Sequence, residues 1–281
     1  MKYPYIASDL DGTISLHKNF EILPETIQDI ITYQTKSNHH FTIATGRNYQ
    51  MVKHYIDDLQ IKLPIVTVNG AAVVDVVNEK AIAYTEFPKA AMLELVNYCI
   101  QYGIDFSIHT PLTVIGKKGN ERFQAYYAFS KDWPVDEQPQ LFEFDDMQDL
   151  VASIEEEIHI PLKLTVSFPL SDRALADQFN RHCDEKKYYH PETLIHDRIL
   201  IDVLEESVNK GFGIKCLAES LGLDPSEIVT FGDNTNDIEM TKQAAVGCAV
   251  GNAVPQLKAV AKVIVDTIDN NGVGKYLKEN F

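Results

Sequence analysis

Tyr5-Ile6-Ala7-Ser8-Asp9-Leu10-Asp11-Gly12-Thr13 is the stretch whose reading decides the fold. A short apolar run with the character of a buried strand stops at two carboxylates two residues apart, and Gly12 then lets the backbone turn sharply. Two uncompensated carboxylates this close repel, and one would have its pKa raised. A divalent cation such as Mg2+, which prefers a few hard oxygens, would relieve the repulsion. The plainer alternative is an Asp-Gly turn with a capping Asp and Thr.

Outward from this stretch the chain alternates between strand-like and helical patterns. Pro24 to Ser37 has helical periodicity, with Pro24 suited to a first helical position. Phe41 to Ala44 reads as a strand stopped at Thr45-Gly46, Tyr49 to Leu59 as a helix, and Ile65 to Val68 as a third strand ending at Asn69-Gly70. This order predicts parallel strands joined by crossover helices. Val73 to Tyr84 reads as a hairpin turning at Asn78-Glu79. The same grammar returns later, with strands at Ile199 to Leu204, Ile228 to Phe231, Ala245 to Val250 and Val263 to Val265. Helices fall between them at Gly211 to Leu221, Asp237 to Ala244 and Val254 to Ala261, and a last one at Val273 to Glu279. Between Tyr84 and His190 the alternation is irregular, and Asp132 to Leu162 holds ten acidic residues and no Lys or Arg, the pattern of a solvated acidic face. The expected architecture is α/β: a Rossmann-like three-layer α/β/α core with a parallel sheet, formed by residues 1–83 and 191–281, interrupted by an inserted α+β cap domain over 84–190.

Of 281 residues, 25 are Lys or Arg and 41 are Asp or Glu, a net charge of −16 that argues against nucleic acid and anionic membrane surfaces as partners. An acidic protein can still take an anionic small molecule where a metal or local cation reverses the field. An apolar fraction of 45% is that of a chain that buries a core. Cys99, Cys183, Cys216 and Cys248 form no CxxC pair, so neither a cysteine zinc site nor a disulfide scaffold is indicated. No run approaches the ~18 apolar residues of a membrane span. The N-terminus lacks the apolar core of a signal peptide. The expectation is a soluble, cytoplasmic protein.

Three further segments share the position of the first, just after a strand or at the start of a helix, where ligands bind in open α/β sheets. Thr45-Gly46-Arg47 offers a hydroxyl and backbone N–H groups at a helix start, an anion site or an ordinary N-cap. Asn209-Lys210-Gly211 opens a helix with a Lys that runs against the helix dipole, which a nearby anion would explain. Gly232-Asp233-Asn234-Thr235-Asn236-Asp237 is a hard-oxygen cluster without the spacing of an EF-hand loop. Asn69-Gly70 reads as a plain turn. No P-loop pattern occurs, which excludes that class of NTPase.

In this order, Asp9-x-Asp11-Gly12-Thr13, Thr45, Lys210 and Gly232-Asp233-x-x-Asn236-Asp237 resemble the haloacid dehalogenase-like superfamily of phosphotransferases. The resemblance covers both core halves and extends to Gly251-Asn252-Ala253. The separation of 165 positions from Thr45 to Lys210 holds an insert that looks like the C2B cap of the Cof-type phosphatases. Asn270-Asn271, where that group often has an acidic pair, and Asp202, where it often has Glu, depart from the pattern.

The resemblance implies a Mg2+-dependent phosphatase acting on a small phosphorylated metabolite through an aspartyl-phosphate. Sugar phosphates, flavin mononucleotide and pyridoxal phosphate are the family's substrate classes. Asp9 is then the nucleophile and Asp11 the general acid and base. Mg2+ is expected on Asp9, the Asp11 carbonyl and Asp233. Lys210, Thr45 and Asn236, with the Gly46 and Leu10 N–H groups, bind the phosphate, and Asp237 supports Lys210 or the metal waters. A sugar phosphomutase and a non-catalytic binding protein are the alternatives. His109, Arg122, Tyr126, Tyr127, Tyr188 and Tyr189 are the polar cap residues available to a leaving group. A monomer or weak homodimer is expected.

Overall fold

The structure, a computed structural model, describes residues 4–18, 20–195 and 197–281. In chain order the elements are β1 (Tyr5–Ser8), α1 (Pro24–Ser37), β2 (Phe41–Ile43), α2 (Lys53–Asp58), β3 (Ile65–Thr67), β4 (Ala72–Asp75) and β5 (Lys80–Tyr84). There follow α3 (Lys89–Tyr102), β6 (Asp105–His109), β7 (Val114–Lys117), α4 (Glu121–Ser130), β8 (Phe142–Phe144), α5 (Met147–Glu155), β9 (Lys163–Pro169), α6 (Arg173–Lys186), β10 (Glu192–Ile195) and β11 (Arg198–Val203). The chain closes with α7 (Lys210–Leu221), β12 (Ile228–Gly232), α8 (Ile238–Gln243), β13 (Val246–Ala249), α9 (Pro255–Lys258), β14 (Val263–Ile264) and α10 (Gly272–Asn280).

These elements form two compact units. The first comprises Met1–Arg47, Tyr55–Ala83 and Asn209–Phe281, the second Asn48–His54 and Tyr84–Val208. This division differs from a break at 190/191. β11, expected in the core, lies between β9 and β10 in the second unit's sheet. A strand's partner is set by non-local pairing, which an isolated apolar run does not encode.

The first unit is built on a parallel sheet in the order β14-β13-β12-β1-β2. β1 is central and its apolar side chains are buried, as strands covered on both faces require. On one face Ala7 and Ile228 pack against Ile214, Leu217 and Ala218 of α7 and Met240 of α8. On the other, Phe231 meets Tyr276 of α10 edge-on, and α10 packs along α1. The helices thus form the outer layers of an α/β/α sandwich. α1 begins at Pro24 and ends at Asn38, whose left-handed backbone returns an N–H to the Gln34 carbonyl. The third strand meets the parallel sheet at the Ala44–Val66 bridge; β3 pairs antiparallel with β4 in a three-stranded β3-β4-β5 sheet. The divergent Asn271 has a structural use: it accepts from Thr26 Oγ1 and donates to Asp29 Oδ2, both at 2.8 Å, and so ties the start of α10 to α1.

The second unit has a six-stranded sheet, β10-β11-β9-β6-β7-β8, antiparallel except for β7 with β8. Phe106, Ile108, Leu164, Val166, Ile199 and Ile201 fill one face against α3, α5 and α6. The expected helix from Tyr49 is a 3₁₀ turn over Tyr49–Met51 followed by the short α2. Asn48 caps the turn and also donates to the Thr110 and Thr113 carbonyls, and Met51 packs on Val114 and Phe123. These tertiary contacts override the local helical pattern. Among the described residues no helix is long and apolar enough to cross a membrane.

Candidate active site

Because β12, β1 and β2 are adjacent and parallel, their carboxyl ends bring together segments far apart in sequence. Asp9 follows β1, Thr45 follows β2 and Asp233 follows β12. Lys210 enters from the first turn of α7, which Asn209 caps by accepting from the Phe212 N–H at 3.0 Å.

Lys210 is 1% exposed, and its Nζ donates to Asp9 Oδ1 at 2.5 Å and to Asp237 Oδ1 at 2.6 Å. This is the anion that explains a lysine at a helix start. The other Asp237 oxygen accepts the Asp233 and Asn234 N–H groups at 2.9 and 3.0 Å, so both its oxygens are engaged in holding the site together. The Thr13 hydroxyl lies 3.4 Å from both Asp9 Oδ2 and Asp233 Oδ1. Each of Asp9, Asp233 and Asp237 has a carboxylate oxygen within 4.8 Å of the others.

Burial lifts the Asp9 carboxyl well above its ordinary range; Lys210 pulls it down, and Asp237 and Asp233 push it up again. Burial and Asp233 lift Asp237 in the same way against Lys210. For Lys210, burial favours the neutral amine, but Asp237 and Asp9 overcome it and hold the ammonium. With all three carboxylates ionised, the one ammonium would leave two negative charges uncompensated. A divalent cation with a preference for oxygen fits that charge and donor set.

Gly12 has a φ of +84°, and a Cβ there would come within 2.4 Å of Asp233 Oδ2 and of His17 Nε2. Glycine is therefore required both by the turn and by the close approach to Asp233. The Gly12 carbonyl accepts from Asn252 Nδ2 at 2.8 Å, and Asn252 Oδ1 accepts the Ile268 N–H, which anchors the loop. His17 sits 3.5 Å from Asp233 Oδ2, and that contact raises its pKa against partial burial.

The Asp11 side chain is not one of the three clustered carboxylates and accepts from Arg47. Thr45 is fully buried and its Oγ1 accepts the Arg47 N–H at 3.1 Å. The Leu10 carbonyl accepts from Ile14 and Ser15 at 3.0 and 2.8 Å and shapes the loop. Asn236 donates to Asn69 Oδ1 at 3.1 Å, and a Cβ on Gly46 would come within 2.8 Å of the same oxygen. Asn69 thus links Gly46 and Asn236, although its Asn-Gly pair reads as a plain turn in sequence. The signals were its position after a strand and the left-handed φ of 55° that asparagine tolerates.

The haloacid dehalogenase-like hydrolase family pattern matches residues 6–277. A putative phosphatase of Mycoplasma pneumoniae is 28% identical over 273 residues, covering 95% of this chain and 93% of its own. The 5-amino-6-(5-phospho-D-ribitylamino)uracil phosphatase of Bacillus subtilis is 25% identical over 285 residues, covering 99% and 98%. The crystal structure of a haloacid dehalogenase-like hydrolase from Bacteroides thetaiotaomicron superposes with a TM-score of 0.81 at 18% identity, over 99% of this chain and all of that one. The chain belongs to the haloacid dehalogenase-like hydrolases and, among them, to the Cof-type phosphatases.

Proposed function

We propose that this phosphatase hydrolyses the phosphate monoester of a small metabolite with Mg2+ and with Asp9 as nucleophile. The observation that carries the reading is the buried cluster in which Lys210 bridges Asp9 and Asp237 beside Asp233. Asp9 and Asp233 are the carboxylates that would hold Mg2+, together with the Asp11 carbonyl. When bound, the ion neutralises charge on the transferring group and lets an anionic nucleophile approach an anionic ester.

The residues divide the work as follows. The Asp9 carboxylate attacks phosphorus and the bond to the ester oxygen breaks, giving an aspartyl-phosphate. Asp11, protonated, gives its proton to the leaving alkoxide. As a carboxylate it then takes a proton from water, whose oxygen displaces Asp9 and releases phosphate. Lys210, Thr45, Asn236 and the Gly46 and Leu10 N–H groups hold the phosphoryl oxygens, since this chemistry depends on positioning and charge stabilisation. Asp237 holds Lys210.

The Bacillus subtilis relative acts, by its name, on a ribityl phosphate, which supports a hydroxylated metabolite as substrate. The test is Mg2+-dependent release of phosphate from p-nitrophenyl phosphate, absent in Asp9→Asn. Full activity of purified Asp9→Asn overturns the mechanism. Incubation with a hexose 1-phosphate separates hydrolysis from mutase action: free phosphate supports the first, the 6-phosphate the second.

A further inference from the structure

Strand β5 closes the three-stranded sheet with an edge and a face that the rest of the fold leaves uncovered. It is the last strand in the order β3-β4-β5, and among the described residues no strand pairs with its outer side. Exposure alternates along it: Lys80, Ile82 and Tyr84 are exposed, and Ala81 and Ala83 are partly buried. Ala83 packs against the cluster that holds Val73 with Ile214 and Leu217 of α7. The opposite face therefore presents Ile82, 43% exposed, and Tyr84, 48% exposed.

The strand is held ready for a partner. At the end of β4, Asp75 accepts the Val77 and Asn78 N–H groups at 2.9 and 3.1 Å, and Glu79, with a φ of 48°, turns the chain back. An edge fixed in extended form turns alternate N–H and C=O groups outward and is a template for another strand. Because β5 is already ordered, little further ordering opposes the docking of a strand on it.

The sequence of β5 selects which strand fits. Lys80-Ala81-Ile82-Ala83-Tyr84 is nearly symmetric about Ile82. Paired antiparallel with a second copy of itself about that centre, Ile82 meets Ile82, each Ala81 meets Ala83, and each Lys80 meets Tyr84. A lone lysine on an edge ordinarily guards against pairing. In this register its ammonium is brought to the Tyr84 ring of the other copy, a favourable pairing of cation and aromatic face. Glu86, exposed and carrying the alternation past Tyr84, becomes the diagonal neighbour of the same lysine. Both contacts recur on the other side of the axis, as a self-complementary interface requires.

We propose that the outer edge of β5 is a homodimer interface, at which two copies pair antiparallel across a two-fold axis at Ile82 and join their β3-β4-β5 sheets into one. A single strand is small beside the ~1,200–2,000 Å2 of a stable interface, so the dimer is weak, with a Kd of about 10–100 μM. The proposal does not rest on the phosphatase reading.

The test is sedimentation velocity on the full chain from about 5 to about 500 μM, in about 0.15 M salt, where the repulsion between two copies of charge −16 is screened beyond about 8 Å. Wild type should pass from monomer to dimer across that range. Ile82→Lys, which sets like charges against each other at the axis, should raise Kd at least about tenfold. Its thermal melt at the lowest concentration should match wild type, because the side chain is exposed. Lys80→Glu and Glu86→Lys should each raise Kd by about fivefold, since each acts twice across the axis, and the double variant should bind more tightly than either. A wild type that stays monomeric throughout overturns the proposal and leaves the edge to a strand of a different protein. A dimer that Ile82→Lys does not weaken lies on another surface and overturns it too. Losses that add in the double variant overturn the register, and with it the proposal.

Discussion

Arg47 holds Asp11 through two parallel hydrogen bonds, Nε to Oδ2 at 2.8 Å and Nη2 to Oδ1 at 2.6 Å. The guanidinium is itself fixed between the rings of Phe20 and Tyr55, 5.0 and 5.4 Å from their centroids. Tyr55 in turn donates to the Phe20 carbonyl at 2.8 Å. The fork keeps Asp11 in one orientation, and a planar, permanently charged group does this better than an ammonium. Arg47 is thus a positioning residue for the proposed acid and base.

Arg47→Lys keeps the charge but loses the fork and the stacking. A charge-assisted pair is worth about 1.5–3 kcal/mol, so kcat should fall roughly 10- to 150-fold. KM should change much less, because the loss acts on Asp11 and not on phosphate binding. Steady-state kinetics on p-nitrophenyl phosphate checks the split; equal effects on both constants would refute the positioning role.

Asp11→Asn removes proton transfer in both steps, and kcat should drop by ~10²–10⁴. The aspartyl-phosphate should still form slowly with an activated leaving group. Rapid quench with radiolabelled ester, followed by acid precipitation, should therefore recover label on the protein.

Asp9 has a raised pKa in the metal-free fold, because burial opposes its charge. A carboxyl raised by folding contributes stability that is whole below its unfolded pKa, near 3.9, and is lost as pH rises through the folded value. In EDTA at neutral pH, Asp9→Asn should therefore melt above wild type, by ~2–4 °C for each kcal/mol regained. Saturating Mg2+ should narrow or reverse the difference, since it binds the folded wild type. Calorimetry with and without EDTA reads both effects.

Asp237→Ala leaves Lys210 with one carboxylate and strips the acceptor from two backbone N–H groups, of which that of Asp233 is buried. Breaking a buried pair in this way costs about 3–5 kcal/mol. Urea unfolding should show a lowered midpoint, with a larger loss than for Asp233→Ala, whose side chain carries no such bonds to the backbone of the described residues.

His109 is held neutral, first by burial and then by Lys163 and Arg122. The unfolded chain takes up a proton below about pH 6.5 that the fold refuses, so stability should fall as pH drops through that value toward the folded pKa. His109→Gln should flatten this slope between about pH 6.5 and 5, measured by denaturant titration across that range.

The acids of the candidate site were legible because each follows a local pattern. Asp9 and Asp233 end buried strands, and Lys210 stands where a helix start disfavours it. Helix α1 announced itself through Pro24 and its periodicity. What escaped detection was non-local. Arg47 sits in the quoted Thr45-Gly46-Arg47, but nothing in sequence shows that it reaches back to Asp11. Asn69 looked like a turn because its partner, Asn236, lies 167 residues away. The helix expected from Tyr49 gave way to tertiary bonds from Asn48 and Gln50.

The sequence by itself determined the α/β core, the order of the segments that follow its strands and the identity of the acids and the lysine. These depend on strand length, turn residues and charge, all written within a few neighbours. Only the tertiary structure decided that β11 belongs to the second sheet and that Arg47 holds Asp11. It also decided that His109, Thr165 and Asp202 are joined by hydrogen bonds. Each of these is a pairing across many residues, and the energy that selects it exists only once the chain has closed on itself.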